Sequence, residues 1–404
     1  MTDSVLPDPP SRTTGGPGRI TSESGEGPDG RSEGKDRMDT RASVGTLEKA
    51  RIAKPVRAGI VDVDVHPYPA TLDEIRERLD MPWRDRYNDQ RRGPFYRHPI
   101  QGNRVDSRPP GGGPAASDPA FLRNQLMDAH GIAYAILIPR TFCNIHPDPD
   151  YGSAIAAAHN EWLAETWLGE HNHDGAFKGS ITINHHDPLR AAEEIDRWAH
   201  HPHFVQAVTD SGARAPLGQR QYHPIFEACE RHGLPLGVHP GTEGIGVNDQ
   251  PTPGYPTRYV EWHCTMALSF QAHIVSLVTE GVFERFPGLR IAMVEGGVAW
   301  IPTLLWRLDA YWKALRRDVP WLTRPPGEYV REHIRFGTQP LERPERDEHL
   351  MAVLEMMDAE RILMFSSDYP HWDFDSPARA FPRLPERLQE AIFSANARTL
   401  YNLA

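Results

Sequence analysis

From residue 58 onward the chain alternates short apolar runs with longer amphipathic stretches. Eight runs, at 58–65, 133–139, 178–183, 204–209, 234–238, 289–294, 333–338 and 361–367, read as strands. Most are continuous, as in AYAILIP and LRIAMV, which suits strands covered on both faces of a parallel sheet. Between them, YGSAIAAAHNEWLAETWLGEH, DPLRAAEEIDRWAHH, YHPIFEACERHG and PERDEHLMAVLEMMD carry apolar residues at three- and four-residue spacing, the signature of amphipathic helices. Asp187 followed by Pro188 supplies an N-cap with proline at the first helical position. Eight β-then-α units predict an α/β fold of the (β/α)8 TIM-barrel type; a doubly wound sheet, normally with fewer strands, is the alternative. Trp300, Trp306 and Trp312 recur after the sixth strand and read as packing between helix and barrel.

Three segments break this rhythm. Residues 1–57 are rich in Pro, Gly, Ser and nearly balanced charge and poor in apolar side chains, so they are expected to form a disordered tail ahead of a barrel spanning 58–404. Two connections, 89–120 and 240–263, are longer than linkers need to be. Both leave the C-terminal side of a strand, the face on which barrels build their sites, and read as lid or substrate loops.

Composition narrows the function. A net charge of −11 argues against a general nucleic-acid binder, which needs a basic face for phosphates. No apolar run approaches the length needed to span a bilayer, and the N-terminus shows no export pattern. Cys143, Cys229 and Cys264 are odd in number and far apart, which excludes a disulfide scaffold or thiolate zinc knuckle and suits a cytoplasmic protein.

The chemistry is expected where polar residues end the strands. Asp62, Asp64 and His66 follow one another at period two, placing them on one face of strand one. Burying three ionisable groups together is costly unless a cation pairs them. Strand five ends at His239, strand six at Glu295 before two glycines, and strand eight at Asp368 with His371 just beyond. Carboxylates and imidazoles converging from four strands predict a divalent metal site. Arg140 after strand two and Gln339 after strand seven are candidate substrate-binding residues, since a guanidinium can grip a carboxylate at two points. His185 and His186 follow strand three; one of them lining the mouth and both facing solvent are the alternatives. The glycines of GTEGIG (241–246) lack the Lys-Ser/Thr of a phosphate loop.

The stretches VDVDVHP, LPLGVHPG, TEGVFERFPGLRIAMVEGGVAWIPTLLWRLD, ILMFSSDYPHWDFDSP and FSANARTLYNL resemble the amidohydrolase-related branch of the amidohydrolase superfamily, which includes the aminocarboxymuconate-semialdehyde decarboxylase group. The resemblance runs from residue 60 to 401. It implies a (β/α)8 barrel with Asp64, His66, His239 and Asp368 as metal ligands at its mouth. It also implies one divalent ion, zinc or manganese with iron compatible, and a possible homodimer. Where the family usually has HxH on strand one, this chain has Asp64 and His66, as several nonoxidative aromatic-acid decarboxylases do. Where many members carry a His at the end of strand six, it has Glu295.

Two chemistries suit such a site. In one, the metal holds a substrate carboxylate and neighbouring hydroxyl while protonation at carbon precedes loss of carbon dioxide. In the other, a metal-activated water attacks an amide or lactone carbonyl. Asp368, Glu295 and His371 are the candidate proton-handling residues. Decarboxylation of a small, aromatic or unsaturated acid is the leading expectation, hydrolysis the alternative. A non-catalytic binding barrel is the third, disfavoured by the complete ligand set.

Overall fold

The computed structural model describes residues 59–87 and 102–404. The expected tail, 1–57, and the first part of the 89–120 connection lie outside the described residues.

All eight predicted strands form, and they form one parallel sheet in sequence order. They are β1 (Ile60–Val65), β2 (Ile132–Leu137), β3 (Phe177–Thr182), β4 (Phe204–Asp210), β5 (Leu236–His239), β6 (Ile291–Met293), β7 (Ile334–Gly337) and β8 (Leu363–Met364). The sheet closes on itself at the β1–β8 seam, where Val63 N–H donates to Phe365 O (3.1 Å) and His66 N–H to Tyr369 O (2.8 Å). A TIM barrel is the result. β8 is shorter than expected at both ends: Arg361 and Ile362 belong to the helix Ala359–Ile362, and residues 365–367 continue past the strand without its pairing. A short apolar run does not by itself distinguish helix from strand.

The predicted helices lie between the strands. Asp187 caps the helix Pro188–Trp198 through its side chain, which accepts from Arg190 N–H, and Gly233 ends the helix His223–His232 in the left-handed conformation. The larger core joins these helices to one face of each strand, with Trp162, Trp167, Phe177 and Phe226 fully buried. A smaller cluster fills the barrel with Val61, Val63, Ile136, Ile138, Val208 and Val294, and Tyr401 of the C-terminal helix packs against it. The three tryptophans differ from expectation: Trp312 is buried, but Trp306 is half exposed. Six residues turn a helix by about 600°, or about 240° past a full turn, so successive members of that series cannot share a face.

One irregularity in β1 matters for function. Asp62 pairs with Ala135 and Val65 with Leu137, so three steps on β1 oppose two on β2. The extra residue is a bulge, which resets which face the following side chains occupy. Asp62 therefore does not share the inner face with Asp64 and His66, contrary to strict period-two alternation. Its carboxylate turns to the seam and accepts from Ser367 N–H (2.9 Å) and Asp64 N–H (3.2 Å).

The described part of the first long connection returns to the mouth. Asn103 bridges His371, and Arg104 N–H donates to Pro370 O. The second connection ends in the helix Tyr259–Thr265, whose His263 Nε2 lies 3.0 Å from Asp373 Oδ2. Both loops thus pack beside the segment that follows β8. Among the described residues no helix is long and apolar enough to cross a membrane.

Candidate functional site

The strand ends bring together a buried ring of oxygen and nitrogen donors. Asp64, His66, His239 and Glu295 form one group of potential ligands, and His66, Glu295, Asp368 and His371 a second; within each the donor atoms lie within 4.8 Å of one another. Read as a chain, Glu295 Oε2 is 2.9 Å from His239 Nε2, which is 3.5 Å from Asp64 Oδ1. Asp64 Oδ1 is 3.2 Å from His66 Nε2, which is 2.9 Å from Asp368 Oδ1. Neighbouring ligands around one ion with bonds of about 2.1 Å stand about 3.0 Å apart in octahedral and about 3.4 Å apart in tetrahedral geometry. The four spacings fall around those values.

The hydrogen bonds also leave room for a cation. His66 Nδ1 donates to Ile138 O (2.8 Å), so the neutral ring turns the Nε2 lone pair toward two carboxylates. Burial, with His371 close by, holds the His66 pKa well below its ordinary value. Lone pairs facing carboxylates repel unless a proton or a metal ion sits between them. Both oxygens of Asp64 and the Nε2 of His239 are buried without a hydrogen-bond partner among the described residues. Ligating histidines usually donate their second nitrogen to a backbone carbonyl, as His66 does. The donor set thus fits a divalent cation, with zinc, manganese and iron all compatible.

Charge gives the same answer. Asp64, Glu295, Asp368 and Asp210 are buried around one guanidinium, that of Arg140. Burial pushes the Asp368 carboxyl well above its ordinary range, reinforced by the charges of Glu295, Asp373 and Asp64. Burial likewise raises Asp64. For His239, burial and Arg140 oppose the charged form, but Glu295 and Asp64 prevail and lift it to about 9. Without a cation the site gathers protons; a divalent ion takes their place.

The remaining expected residues are in or beside this ring. His371 Nδ1 is 2.5 Å from Asp368 Oδ1 and its ring centre 4.6 Å from that of His66. Burial lowers its pKa to about 4. Gln339 is fully buried, and its Nε2 donates to Asp373 Oδ2 (2.8 Å) and Asp368 Oδ2 (3.2 Å). Arg140 is more committed than expected of a free anion anchor. Its Nη1 is 3.2 Å from Asp210 Oδ1 and 2.6 Å from His239 Nδ1, and its Nη2 donates to Pro240 O (2.6 Å). Gly241, at φ +125°, makes room for it, since a Cβ there would run into Nη2. The Arg140 contact asks His239 Nδ1 to accept, whereas Pro240 O, 2.8 Å away, asks it to donate; a cation at Nε2 selects the tautomer that donates to the carbonyl. Arg140 also lines a pocket together with Tyr68, Phe142, His146, Tyr151 and Ile155.

Sequence reasoning missed Asp210 and Asp373. Asp210 ends β4 in FVQAVTD, the pattern that marked His239 and Glu295, so the same argument could have found it. Asp373 lies beyond a strand end and carries no such signal. His185 is buried rather than solvent-exposed, with Nδ1 2.6 Å from Thr209 Oγ1. His186 Nε2 instead meets Asn248 Oδ1 at 2.6 Å.

Comparison with known proteins adds to this picture. The family model described as Amidohydrolase matches residues 61–403. The gamma-resorcylate decarboxylase of Rhodococcus jostii (strain RHA1) is 28% identical over 306 residues, covering 70% of this chain and 87% of that protein. The 2-amino-3-carboxymuconate-6-semialdehyde decarboxylase of Dictyostelium discoideum is 28% identical over 149 residues, 36% of this chain and 38% of that protein. Among solved structures, the dihydroxybenzoic acid decarboxylase of Polaromonas sp. JS666, with bound manganese and 2-nitroresorcinol, aligns with a TM-score of 0.60 at 21% identity, covering 85% of this chain and 97% of that one.

Proposed function

This chain belongs to the amidohydrolase family, and on that footing we propose that it is a divalent-metal-dependent carboxy-lyase. It removes carbon dioxide, without an oxidant, from a small hydroxylated aromatic or unsaturated acid. The observation that carries this reading is the facing of the bare His66 Nε2 toward Asp64 and Asp368. That arrangement calls for positive charge between the groups, which a divalent ion supplies, and burial raises the Asp368 carboxyl toward carrying a proton beside it. The gamma-resorcylate decarboxylase relative and the manganese of the structural neighbour support the reaction class and the metal.

Asp64, His66, His239 and Asp368 would hold the ion, which when bound supplies positive charge for a substrate carboxylate and the hydroxyl next to it. Asp368 donates a proton to the ring carbon bearing the carboxylate. The bond from that carbon to the carboxylate then breaks, its electron pair restores the ring, and carbon dioxide leaves. Oδ1 of Asp368 is engaged by His66 and His371, so Oδ2, held by a 3.2 Å contact from Gln339, is the oxygen free to carry the proton. His371, partly open to the mouth, returns a proton from solvent. Tyr68, Phe142 and Tyr151 give the pocket aromatic walls suited to a flat substrate. Arg140 borders the same pocket and, through Asp210 and Pro240, fixes the wall beside His239.

A homodimer, as the family resemblance implies, is part of this proposal, and sedimentation of the purified protein tests it. The reaction is tested by loading the protein with manganese and supplying hydroxybenzoic acids. Carbon dioxide release matched by loss of the aromatic acid supports the reading. Cleavage of lactones or amides, with no release from any acid, replaces it with hydrolysis.

A further inference from the structure

We propose that Glu295 is itself a ligand of the cation, a fifth protein donor that makes the site carboxylate-rich and biases it toward manganese over zinc. The inference rests on the metal-dependent reading above and departs from the expectation that Glu295 handles a proton.

The first support is position. Glu295 belongs to both donor groups, a membership it shares with His66 alone. Its Oε2 sits 2.9 Å from His239 Nε2, the nitrogen left bare for the ion. That spacing is the same as the one between His66 and Asp368, and shorter than the one between His239 and Asp64. An ion bound by His239 and Asp64 cannot avoid this carboxylate.

The backbone is the second support. Glu295 sits at φ +66°, a left-handed conformation uncommon for a side chain with a Cβ and found at sites the surrounding structure over-determines. Asp368, the ligand across the ring, adopts φ +58°. Both β6 and β8 thus turn a carboxylate inward by the same departure from extended backbone. After Glu295, Gly296 packs so closely on the Phe270 ring that a Cβ would overlap it. The turn is therefore built to bring the Glu295 side chain back over the barrel axis.

Chemistry supplies the consequence. With Glu295 included the donors are three carboxylates and two imidazoles. Carboxylate oxygens suit manganese, whereas imidazole-rich sites favour zinc within the general order of divalent affinities. With Asp368 ionised, three carboxylates around a dication leave the centre one negative charge in excess. The substrate's hydroxyl then enters more readily as the neutral phenol than as a phenolate.

The test measures metal binding without substrate. Manganese affinity is determined by equilibrium dialysis, and the bound ion is followed by electron paramagnetic resonance, for wild type, Glu295→Gln and Glu295→His. Circular dichroism and melting confirm folding of each. Glu295→Gln keeps the size of the side chain and is expected to bind manganese at least about tenfold more weakly, the scale of a lost metal-site partner, with a changed resonance spectrum. Glu295→His is expected to raise the zinc-to-manganese preference by about tenfold or more. Folded Glu295→Gln that binds manganese within about twofold of wild type, with an unchanged spectrum, overturns the proposal. A wild type that binds neither metal overturns the metal-dependent reading beneath it.

Discussion

His66 Nε2 lies 2.9 Å from Asp368 Oδ1 across the seam at which β1 meets β8. That seam has few backbone bonds, chiefly Val63 to Phe365 and His66 to Tyr369. A cation held by both side chains would therefore join the two edges of the sheet. It binds the folded barrel and not the unfolded chain, so manganese at a hundredfold excess over its Kd is expected to add about 2.7 kcal/mol. Chelator-treated protein should melt several degrees lower than protein with manganese restored. A melting temperature indifferent to manganese would remove the ion from the seam.

The Arg140–Asp210 pair yields a second expectation. Both side chains are largely buried, at 9% and 13% exposure, and once a cation engages Asp64, Glu295 and Asp368, Asp210 is the carboxylate left to balance Arg140, so removing one partner leaves the other charge uncompensated. Asp210→Ala should lose roughly 3–5 kcal/mol of stability in denaturant unfolding. The double variant Asp210→Ala with Arg140→Met should recover part of that loss, because no lone charge remains. Equal losses for the single and double variants would show that the pair does not act as a pair.

Much of this was legible in the residues, and the failures have physical causes. The strands were readable because two-sided burial writes continuous apolar runs, and the site because a charged residue directly after such a run has no cheap structural explanation. His239 and Glu295 stand directly after such runs, His66 after the alternating VDVDV, and Asp368 two serines beyond ILMF. The facing of Asp62 was not legible: the bulge against β2 is a matter of hydrogen-bond register, and no residue type announces it. Gln339 looked like a substrate contact from its place after β7, yet its amide spans Asp368 and Asp373, and Asp373 sits in a loop whose path the sequence does not fix. Arg140 follows β2 as read, but its partners come from β4 and β5, three-dimensional neighbours that periodicity along the chain cannot reveal.

Under the proposed mechanism Asp368 both holds the ion and delivers the proton, and one substitution does not separate the two roles. Asp368→Asn should lower kcat by on the order of 10³-fold or more, within the range for loss of a positioned acid, and weaken manganese binding as well. His371→Asn touches only the proton supply under the proposed mechanism. It should lower kcat by about 10²-fold while manganese affinity stays near wild type. The pair is checked by steady-state rates on an accepted acid beside equilibrium dialysis of the metal. Loss of metal in His371→Asn would make that residue a ligand rather than a proton carrier.

Stability should fall on acidification through a residue remote from the donors. His273, on the helix Ala267–Thr279, is buried. Its Nε2 donates to Ser211 O (2.7 Å) and its Nδ1 accepts from Leu217 N–H (3.1 Å). Both nitrogens are therefore satisfied by the neutral ring, and a second proton would have to displace the Leu217 bond. Burial lowers the pKa to about 4, only partly offset by the Ser211 carbonyl, against an ordinary value near 6.5 in the unfolded chain. Between those values the unfolded state binds more protons than the folded one, so stability rises with pH across that window. His273's contribution is complete above pH about 6.5 and is lost as pH falls toward 4, a swing of about 3 kcal/mol. Denaturant unfolding of wild type and His273→Gln at several pH values checks this. The variant should be less stable at pH 7, having lost a neutral ring that fits, but its stability should decline less steeply between pH 6.5 and 4. Parallel profiles for the two proteins would assign the acid sensitivity to other groups.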